Sequence, residues 1–189
     1  MKLVTYLLED LPTEDVLRLT SYIQEVHLKP NEVFISKGEI STKVRYIKEG
    51  LVRAYTYDDE GREITFIFRW ENQFFRPYES LLRQPSKYYF QALEATSLLE
   101  LDFQIIQDYV ATHPEYAYKL NELLKNTLFE ALEHLESFVL LSPEKRYLKI
   151  INEKPDIIHR VQDKYIASFL GITPVSLSRI KKRIATRKH

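Results

Sequence analysis

The residues whose chemistry is most informative lie in residues 163–183, which read DKYIASFLGITPVSLSRIKKR. Hydroxyl, guanidinium and ammonium groups are the donors that suit phosphate oxygens and base edges, and a methyl-bearing side chain among them can contact thymine. The candidate contact residues are Lys164, Thr173, Val175, Ser176, Ser178, Arg179, Lys182 and Arg183. This set can act on double-stranded DNA only if the backbone presents it on one face.

The same segment has the pattern of two short helices joined by a tight turn. Three apolar residues give the first helix a buried face: Ile166, Ala167 and Leu170. Gly171 can take the positive φ of the turn, and Thr173 can cap a second helix that Pro174 opens. Leu177 and Ile180 would pack that helix back onto the first. The pattern predicts a helix-turn-helix whose outer face carries the candidate contact residues.

The charge distribution separates this prediction from an ordinary helical hairpin. Residues 160–189 contain eight Lys or Arg and one acid, a net charge of +7, whereas residues 1–159 contain 19 basic and 26 acidic residues, a net charge of −7. A basic module on an acidic body is typical of nucleic-acid binding, and a structural hairpin has no need of it.

Composition limits the other possibilities. The chain has 189 residues, 44% of them hydrophobic, which is enough for one sizeable domain and one small one. No apolar run reaches membrane-spanning length, and the start MKLVTYLLEDLPTED turns acidic too early for a secretory signal, so we expect a cytoplasmic protein with no membrane partner. The absence of cysteine excludes disulfides, thiolate metal sites and cysteine nucleophiles.

The first half of the chain predicts a short helix followed by a β roll. Thr13 can cap a helix that continues through Val26. From Val33 to about Leu101 the sequence alternates in short, aromatic-rich runs: VFIS, VRYIKEG, LVRAYTYD, REITFIF, YYFQALEA and SLLEL. Such alternation favours antiparallel strands in a compact jelly roll or barrel.

Residues 113–141 predict the longest helix. Its seam repeats in steps of four and three, at Ala117, Asn121, Leu124, Leu128, Ala131, Leu135 and Phe138. This spacing suits a parallel partner helix, so we expect a homodimer with the five seam residues from Leu124 onwards at its interface. Ser142, Pro143 and Glu144 form a start signal for the next helix. The predicted boundary therefore separates a sensor domain, residues 1–141, from a DNA-binding domain, residues 142–189.

This order of elements resembles the Crp/Fnr family of bacterial regulators over essentially the whole chain. The resemblance is carried by KGE, IKEGLVRAY, DDEGREITF, SPEKRYL and YIASFLGITPVSLSRIKKRI. It implies an α+β fold: an N-terminal double-stranded β-helix or jelly roll of eight strands with flanking helices, a long dimerisation helix and a C-terminal winged helix-turn-helix. It also implies a cyclic-nucleotide-binding-like domain, a base-reading arginine at Arg179, and RNA polymerase as a candidate partner.

The resemblance places a candidate effector pocket, for an unknown small molecule, in NQFFRPYESLLRQPSKYYFQAL. Family members that bind cyclic nucleotides have Gly–Glu here and an Arg–Ser pair about ten residues on. Glu79 matches the glutamate, but Tyr78 stands at the glycine position, and Ser86 and Lys87 are nearest the Arg–Ser pair. A phosphate would lack its bidentate arginine, so we expect no cyclic AMP response. Three cations are close in sequence here: Arg76, Arg83 and Lys87. They could rebuild an anion site, or they could be solvated charges on a surface loop.

A β roll is also compatible with a cupin-like small-molecule-binding protein or metalloenzyme that carries a structural helical hairpin. Such an enzyme needs clustered metal ligands, whereas the five histidines are scattered: His27, His113, His134, His159 and His189. Glu130 and His134 are one helical turn apart, but a single such pair is more often a surface or interface pair. We therefore expect no catalytic residue, no metal and no cofactor.

Overall fold

The computed structural model describes residues 9–187. Helix α1 (Thr13–Ser21) precedes eight strands: β1 (Gln24–Leu28), β2 (Val33–Ile35), β3 (Lys43–Glu49), β4 (Leu51–Tyr57), β5 (Glu63–Trp70), β6 (Phe74–Phe75), β7 (Tyr89–Ala92) and β8 (Thr96–Asp102). A short 3₁₀ helix, Tyr78–Leu82, lies between β6 and β7.

Helices make up the rest of the chain as far as Arg187. They are α2 (Phe103–Thr112), the 3₁₀ helix Pro114–Tyr116, α3 (Ala117–Leu140), α4 (Pro143–Glu153), α5 (Ile157–Arg160), α6 (Asp163–Phe169) and α7 (Pro174–Arg187). As expected, Ser142 caps α4, because its side chain accepts a hydrogen bond from the amide of Lys145. No helix within residues 9–187 is long and apolar enough to cross a membrane.

The strands form two four-stranded sheets, with orders β1-β8-β3-β6 and β2-β7-β4-β5. The paired faces enclose one apolar core: Leu28, Ile35, Ile47, Val52, Ala54, Phe75, Phe90, Ala92 and Leu98. This arrangement confirms the predicted jelly roll. One element differs from its prediction, because Val26 lies in β1 opposite Leu98 of β8 and not in a helix. Helix α1 ends at Ser21, and the edge of β8 then provides backbone partners for the residues that follow.

Contacts within the chain define two compact units, one of Met1–Thr56 with Ile67–Glu122 and one of Tyr57–Phe66 with Leu123–His189. The second unit has its own buried residues: Tyr147, Ile157, Val161, Tyr165, Ile166, Ala167, Leu170, Leu177 and Ile180. The wing that the resemblance implied is absent from residues 103–187, which contain no strand. Helix α7 continues to Arg187 because Leu177, Ile180 and Ile184 keep the helical spacing and not the alternation of a strand.

Gly50 connects β3 to β4, and Thr96 lies so close to it that no space is left for a side chain. Its φ is +105°, and a Cβ built there would lie 2.4 Å from Thr96 Oγ1 and 2.7 Å from Thr96 Cα. Gly61, at the tip of the next turn, also has a positive φ of +76°, but a Cβ there would meet nothing within 4 Å. Both positions have a positive φ, but only at Gly50 do neighbouring atoms close the space that a Cβ would need.

We expect Gly50→Ala to lower the free energy of unfolding by about 3 kcal/mol or more, since backbone strain and a steric clash each cost about 1–3 kcal/mol. Gly61→Ala is the matched control and carries the backbone strain alone, so its loss should be only about 1 kcal/mol. Urea denaturation of both variants measures the difference. Equal losses would show that Thr96 moves aside without cost.

Candidate nucleic-acid interface

The turn between α6 and α7 is built by a pair of backbone hydrogen bonds around Gly171. The amide of Gly171 donates to the carbonyl of Ser168, and the amide of Ile172 donates to the carbonyl of Ala167, both at 3.0 Å. This is a Schellman motif, which requires a left-handed residue after the helix; Gly171 fills that place with a φ of +68°. The end of α6 and the direction in which the chain leaves it are thereby fixed.

Helix α7 begins with the predicted cap. The side chain of Thr173 accepts a hydrogen bond from the amide of Ser176 at 3.2 Å, and Pro174 occupies the first helical position. Ala167 and Leu177 are fully buried, so the two helices approach closely at small and medium-sized side chains. The structure thus brings the helix-turn-helix together as predicted from the sequence.

The face of α7 opposite this packing is open. Val175 is 62% exposed, although it is a large apolar residue. The exposed residues predicted to contact DNA on α6, α7 and the turn are Lys164, Thr173, Val175, Ser178, Arg179, Lys182 and Arg183, and Ser176 is half-buried. All eight candidates are therefore held on one small structural unit whose inner side is a packed core.

The basic residues from Arg179 to Arg183 of α7 fall into two groups. Lys181 forms an ion pair with Asp163, the first residue of α6, and Arg183 forms one with Glu144 in the first turn of α4. The side chains of Arg179 and Lys182 have no ion-pair or hydrogen-bond partner within residues 9–187. The ammonium group of Lys164 lies 4.7 Å from the centre of the Tyr165 ring and has no carboxylate partner there. Arg179, Lys182 and Lys164 are thus the cations available to a new ligand.

An open groove of about 530 Å³ separates the start of α4 from α7. Its lining residues are Ser142, Pro143, Glu144, Ile172, Ser176, Arg179, Ile180 and Arg183. The groove therefore has hydroxyl and guanidinium donors on its walls and one carboxylate beside them.

Arg146 connects α4 to the ends of α3 and α6. Its guanidinium donates to the carbonyls of Leu141 and Leu170, each at 2.9 Å, and lies 4.5 Å from the centre of the Phe138 ring. These carbonyls are at the ends of α3 and α6, where helix dipoles favour a cation. The sequence reasoning missed this residue, because nothing local in SPEKRYL distinguishes a buried arginine from an exposed one.

Ser168 ties α6 to residues of the β4–β5 hairpin within the same compact unit. Its hydroxyl accepts from the amide of Thr65 at 2.8 Å and donates to the carbonyl of Glu63 at 3.0 Å. Because β5 is the edge strand of its sheet, these backbone groups lack a neighbouring strand, and the hydroxyl satisfies one donor and one acceptor at once. No sequence signal links residues about a hundred positions apart, so this contact could not be predicted.

The candidate effector residues lie in the first compact unit, around the 3₁₀ helix Tyr78–Leu82. Glu79 is only 2% exposed; one carboxylate oxygen accepts from the amide of Lys87 at 3.3 Å, and the other has no partner in the described part of the chain. Tyr78 is half-exposed, and burial of its hydroxyl, followed by the influence of Tyr88 and Glu79, raises its pKa. Ser86 is buried, and its hydroxyl is used within a turn, donating to the carbonyl of Tyr88 at 2.7 Å.

The three cations of this region do not converge on one point. Arg76 stacks at 3.9 Å from the centre of the Phe103 ring and donates to Ser80 Oγ at 2.8 Å, and burial lowers its pKa. Arg83 reaches Gln104 at 3.4 Å. The ammonium group of Lys87 lies 5.8 Å from the centre of the Tyr78 ring. Each cation has a separate neighbour, which favours solvated or stacked charges over a rebuilt anion site.

Helix α3 carries an exposed apolar face. The five residues predicted for the dimer interface are exposed in the single chain: Leu124, Leu128, Ala131, Leu135 and Phe138. At about 1.5 Å per residue, the helix of 24 residues is about 36 Å long.

Residues 9–187 contain no cluster of three or more His, Asp or Glu side chains that could hold a metal ion.

Comparison with known sequences identifies the β roll. Residues 25–113 match the family described as "Cyclic nucleotide-binding domain". The chain is also similar to the regulatory protein HlyX of Actinobacillus pleuropneumoniae, with 18% identity over 82% of this chain and 69% of the relative.

Solved structures share the fold over most of the chain. FixK2 from Bradyrhizobium japonicum superposes with a TM-score of 0.75 at 19% identity, covering 88% of this chain and 86% of FixK2. A protein from Eubacterium rectale, assigned to the crp/fnr family of transcriptional regulators, gives a TM-score of 0.74 at 20% identity and covers 96% of this chain and 87% of its own. These findings confirm the resemblance and the predicted fold class of a β-sheet domain followed by C-terminal helices.

Proposed function

We propose that this chain, which has the fold and the cyclic nucleotide-binding domain of the Crp/Fnr-type regulators, is a dimeric transcription regulator that binds specific DNA sequences in the cytoplasm and is not an enzyme. One observation carries the proposal. A helix-turn-helix with a fully buried inner side leaves Val175, Arg179 and Lys182 exposed on the outer face of its second helix, and neither cation has a partner within residues 9–187. RNA polymerase is the partner that such a regulator would act on.

Arg179 is the residue proposed to read bases. It lies about one and a half turns inside α7, on the same face as Val175 and Lys182, because positions three and four apart lie on one side of a helix. A helix in the major groove brings such a side chain to the O6 and N7 acceptors of guanine, and the adjacent Val175 to a thymine methyl group. These two contacts would supply sequence specificity.

The remaining candidates are proposed to position the helix on the DNA backbone. Lys164 and Lys182 supply positive charge, and the hydroxyls of Thr173 and Ser176 lie at the start of α7, where the helix dipole attracts phosphate. Ser178 shares the outer face. Such contacts give affinity that depends on salt and not on sequence.

Dimerisation is proposed through the seam of α3. Leu128 and Leu135 are 59% and 60% exposed in the single chain, so a partner helix that covered them would remove a continuous apolar surface from water. The steps of four and three along the seam suit a parallel pair of helices. A two-fold dimer would present two copies of α7 to two half-sites of DNA.

Cyclic AMP is proposed not to be the effector. The side chain of Ser86 donates within its own turn, and Arg76, Arg83 and Lys87 point to separate neighbours. A buried cyclic phosphate would then lack both a bidentate guanidinium and a backbone nest. The two proposed domains, a sensor of residues 1–141 and a DNA-binding domain of residues 142–189, would then be coupled by some other signal.

The first test concerns base reading. Arg179→Ala should cost about 1–3 kcal/mol per half-site on a duplex selected from a random pool and little on random duplexes, because only the selected duplex offers the correct guanine. Lys164→Ala is the control: it should weaken both duplexes and lower the salt slope by about 1 per half-site. Fluorescence anisotropy at several salt concentrations measures both quantities. Equal weakening of the two duplexes by Arg179→Ala would make Arg179 a phosphate contact.

The second test concerns assembly. Leu128→Glu or Leu135→Glu would bring like charges together at a desolvated seam and should convert the dimer to monomers. Asn126→Glu adds the same charge on the opposite side of α3, about 200° round the helix from Leu128, and should leave the dimer intact. Sedimentation velocity distinguishes these states. A dimer that persists in both leucine variants would exclude this seam.

The third test concerns the effector. Isothermal titration with cyclic AMP should show no binding at a micromolar dissociation constant, which corresponds to about −8 kcal/mol, and the nucleotide should leave DNA affinity unchanged. A ligand can shift an equilibrium only by its differential affinity for two states, so weak binding predicts no switch. Micromolar or tighter binding would contradict the proposal.

A further inference from the structure

The ion pair between Glu144 and Arg183 lies at the edge of the surface proposed to contact DNA. Arg183 is four residues after Arg179, so the two guanidinium groups lie on the same side of α7, one turn apart. Lys181 is only two residues after Arg179, about 200° round the helix, and faces the opposite side. Of the two ion-paired bases of α7, only Arg183 is therefore on the side where phosphates would lie.

Burial makes this pair difficult to separate. The side chain of Glu144 is 16% exposed and that of Arg183 is 51% exposed, whereas in the Lys181–Asp163 pair the values are 30% and 50%. A carboxylate that is largely withdrawn from water loses much of its hydration, so its separation from Arg183 costs more than the separation of an exposed pair. The pair of Lys181 with the half-exposed Asp163 can exchange partners at much lower cost.

The position of Glu144 at the start of α4 also favours its negative charge. Pro143 opens α4, and Glu144 lies in its first turn, where the helix dipole stabilises a negative charge. Since α4 begins directly beside the groove that α7 lines, the carboxylate faces Arg183 from a different helix. Arg183 is thus held by a group outside α7.

We propose that Glu144 is a positioning residue: it keeps Arg183 bound to α4 and withholds one cation per subunit from the phosphate backbone. This inference rests on the proposed DNA-binding function. Sequence-independent affinity depends on the number of phosphates that the protein neutralises, so a withheld arginine lowers the affinity for random DNA. Base reading by Arg179 is retained, and the affinity for the specific site falls by the same factor.

The test measures the salt slope of binding in the full-length chain. Glu144→Gln removes the charge with little change in shape and frees Arg183. On random duplexes the slope should steepen by about 0.9 per half-site, so that affinity falls about 3.5-fold more per half-site between about 50 and about 200 mM salt. The ratio of specific to random affinity should stay unchanged, because the added phosphate contact is the same on both duplexes. In a chain that keeps Glu144, Arg183→Gln should leave the slope unchanged, because that arginine neutralises no phosphate.

The double variant and a matched control complete the design. Glu144→Gln combined with Arg183→Gln should restore the wild-type slope, since the freed cation is gone. Asp163→Asn raises the net charge by the same amount but frees Lys181 on the opposite side of α7, and it should not steepen the slope. Thermal unfolding of each variant checks that the helix-turn-helix is folded.

Two other outcomes would refute the inference about Glu144, and a third would refute the proposed function. A fall of about 0.9 per half-site for Arg183→Gln alone would make Arg183 a phosphate contact and refute the inference, even if Glu144→Gln did not fold. Equal steepening by Glu144→Gln and Asp163→Asn would reduce the effect to net charge and refute it as well. If the wild-type chain bound no duplex at all, the proposed function itself would fail.

Discussion

The guanidinium of Arg146 joins the ends of two helices, and the candidate interface depends on that junction. It donates to the carbonyls of Leu141 and Leu170, which end α3 and α6, and it stacks on the Phe138 ring. The free carbonyls at a helix end carry partial negative charge, so a cation with several donors can satisfy two ends without a carboxylate partner. The turn at Gly171 is thereby held in place, and α7 leaves it in a fixed direction.

Charge is arranged around this junction on two length scales. The basic end of the chain stands against an acidic body, with net charges of +7 for residues 160–189 and −7 for the rest. Within the module, Asp163 and Glu144 hold Lys181 and Arg183, while Arg179 and Lys182 remain without partners within residues 9–187. A large positive field favours encounter with DNA, and local acids decide which cations can neutralise phosphates.

The β roll has the architecture of a cyclic nucleotide-binding domain, and the side chains proposed for its pocket contact separate neighbours. The hydroxyl of Ser86 donates a hydrogen bond within its own turn, and Arg76 is partly buried against the Phe103 ring. Glu79 is nevertheless buried with one carboxylate oxygen that has no partner in residues 9–187. An unsatisfied buried acceptor costs stability and needs an explanation.

The sequence alone determined the features that depend on local pattern: the six strand runs from Val33 to Leu101, the long helix with its apolar seam, and the cap and turn residues Thr173 and Gly171. Periodicity and capping are short-range, so they can be read from one chain. It could not place β1, because Val26 becomes a strand residue only when β8 provides backbone partners, and the implied wing was wrong because α7 keeps its helical spacing. The partners of Arg146, Ser168 and Glu144 were decided by tertiary structure alone. Hydrogen bonds and ion pairs between residues distant in sequence depend on which helix and strand ends the fold brings together, and composition does not record this.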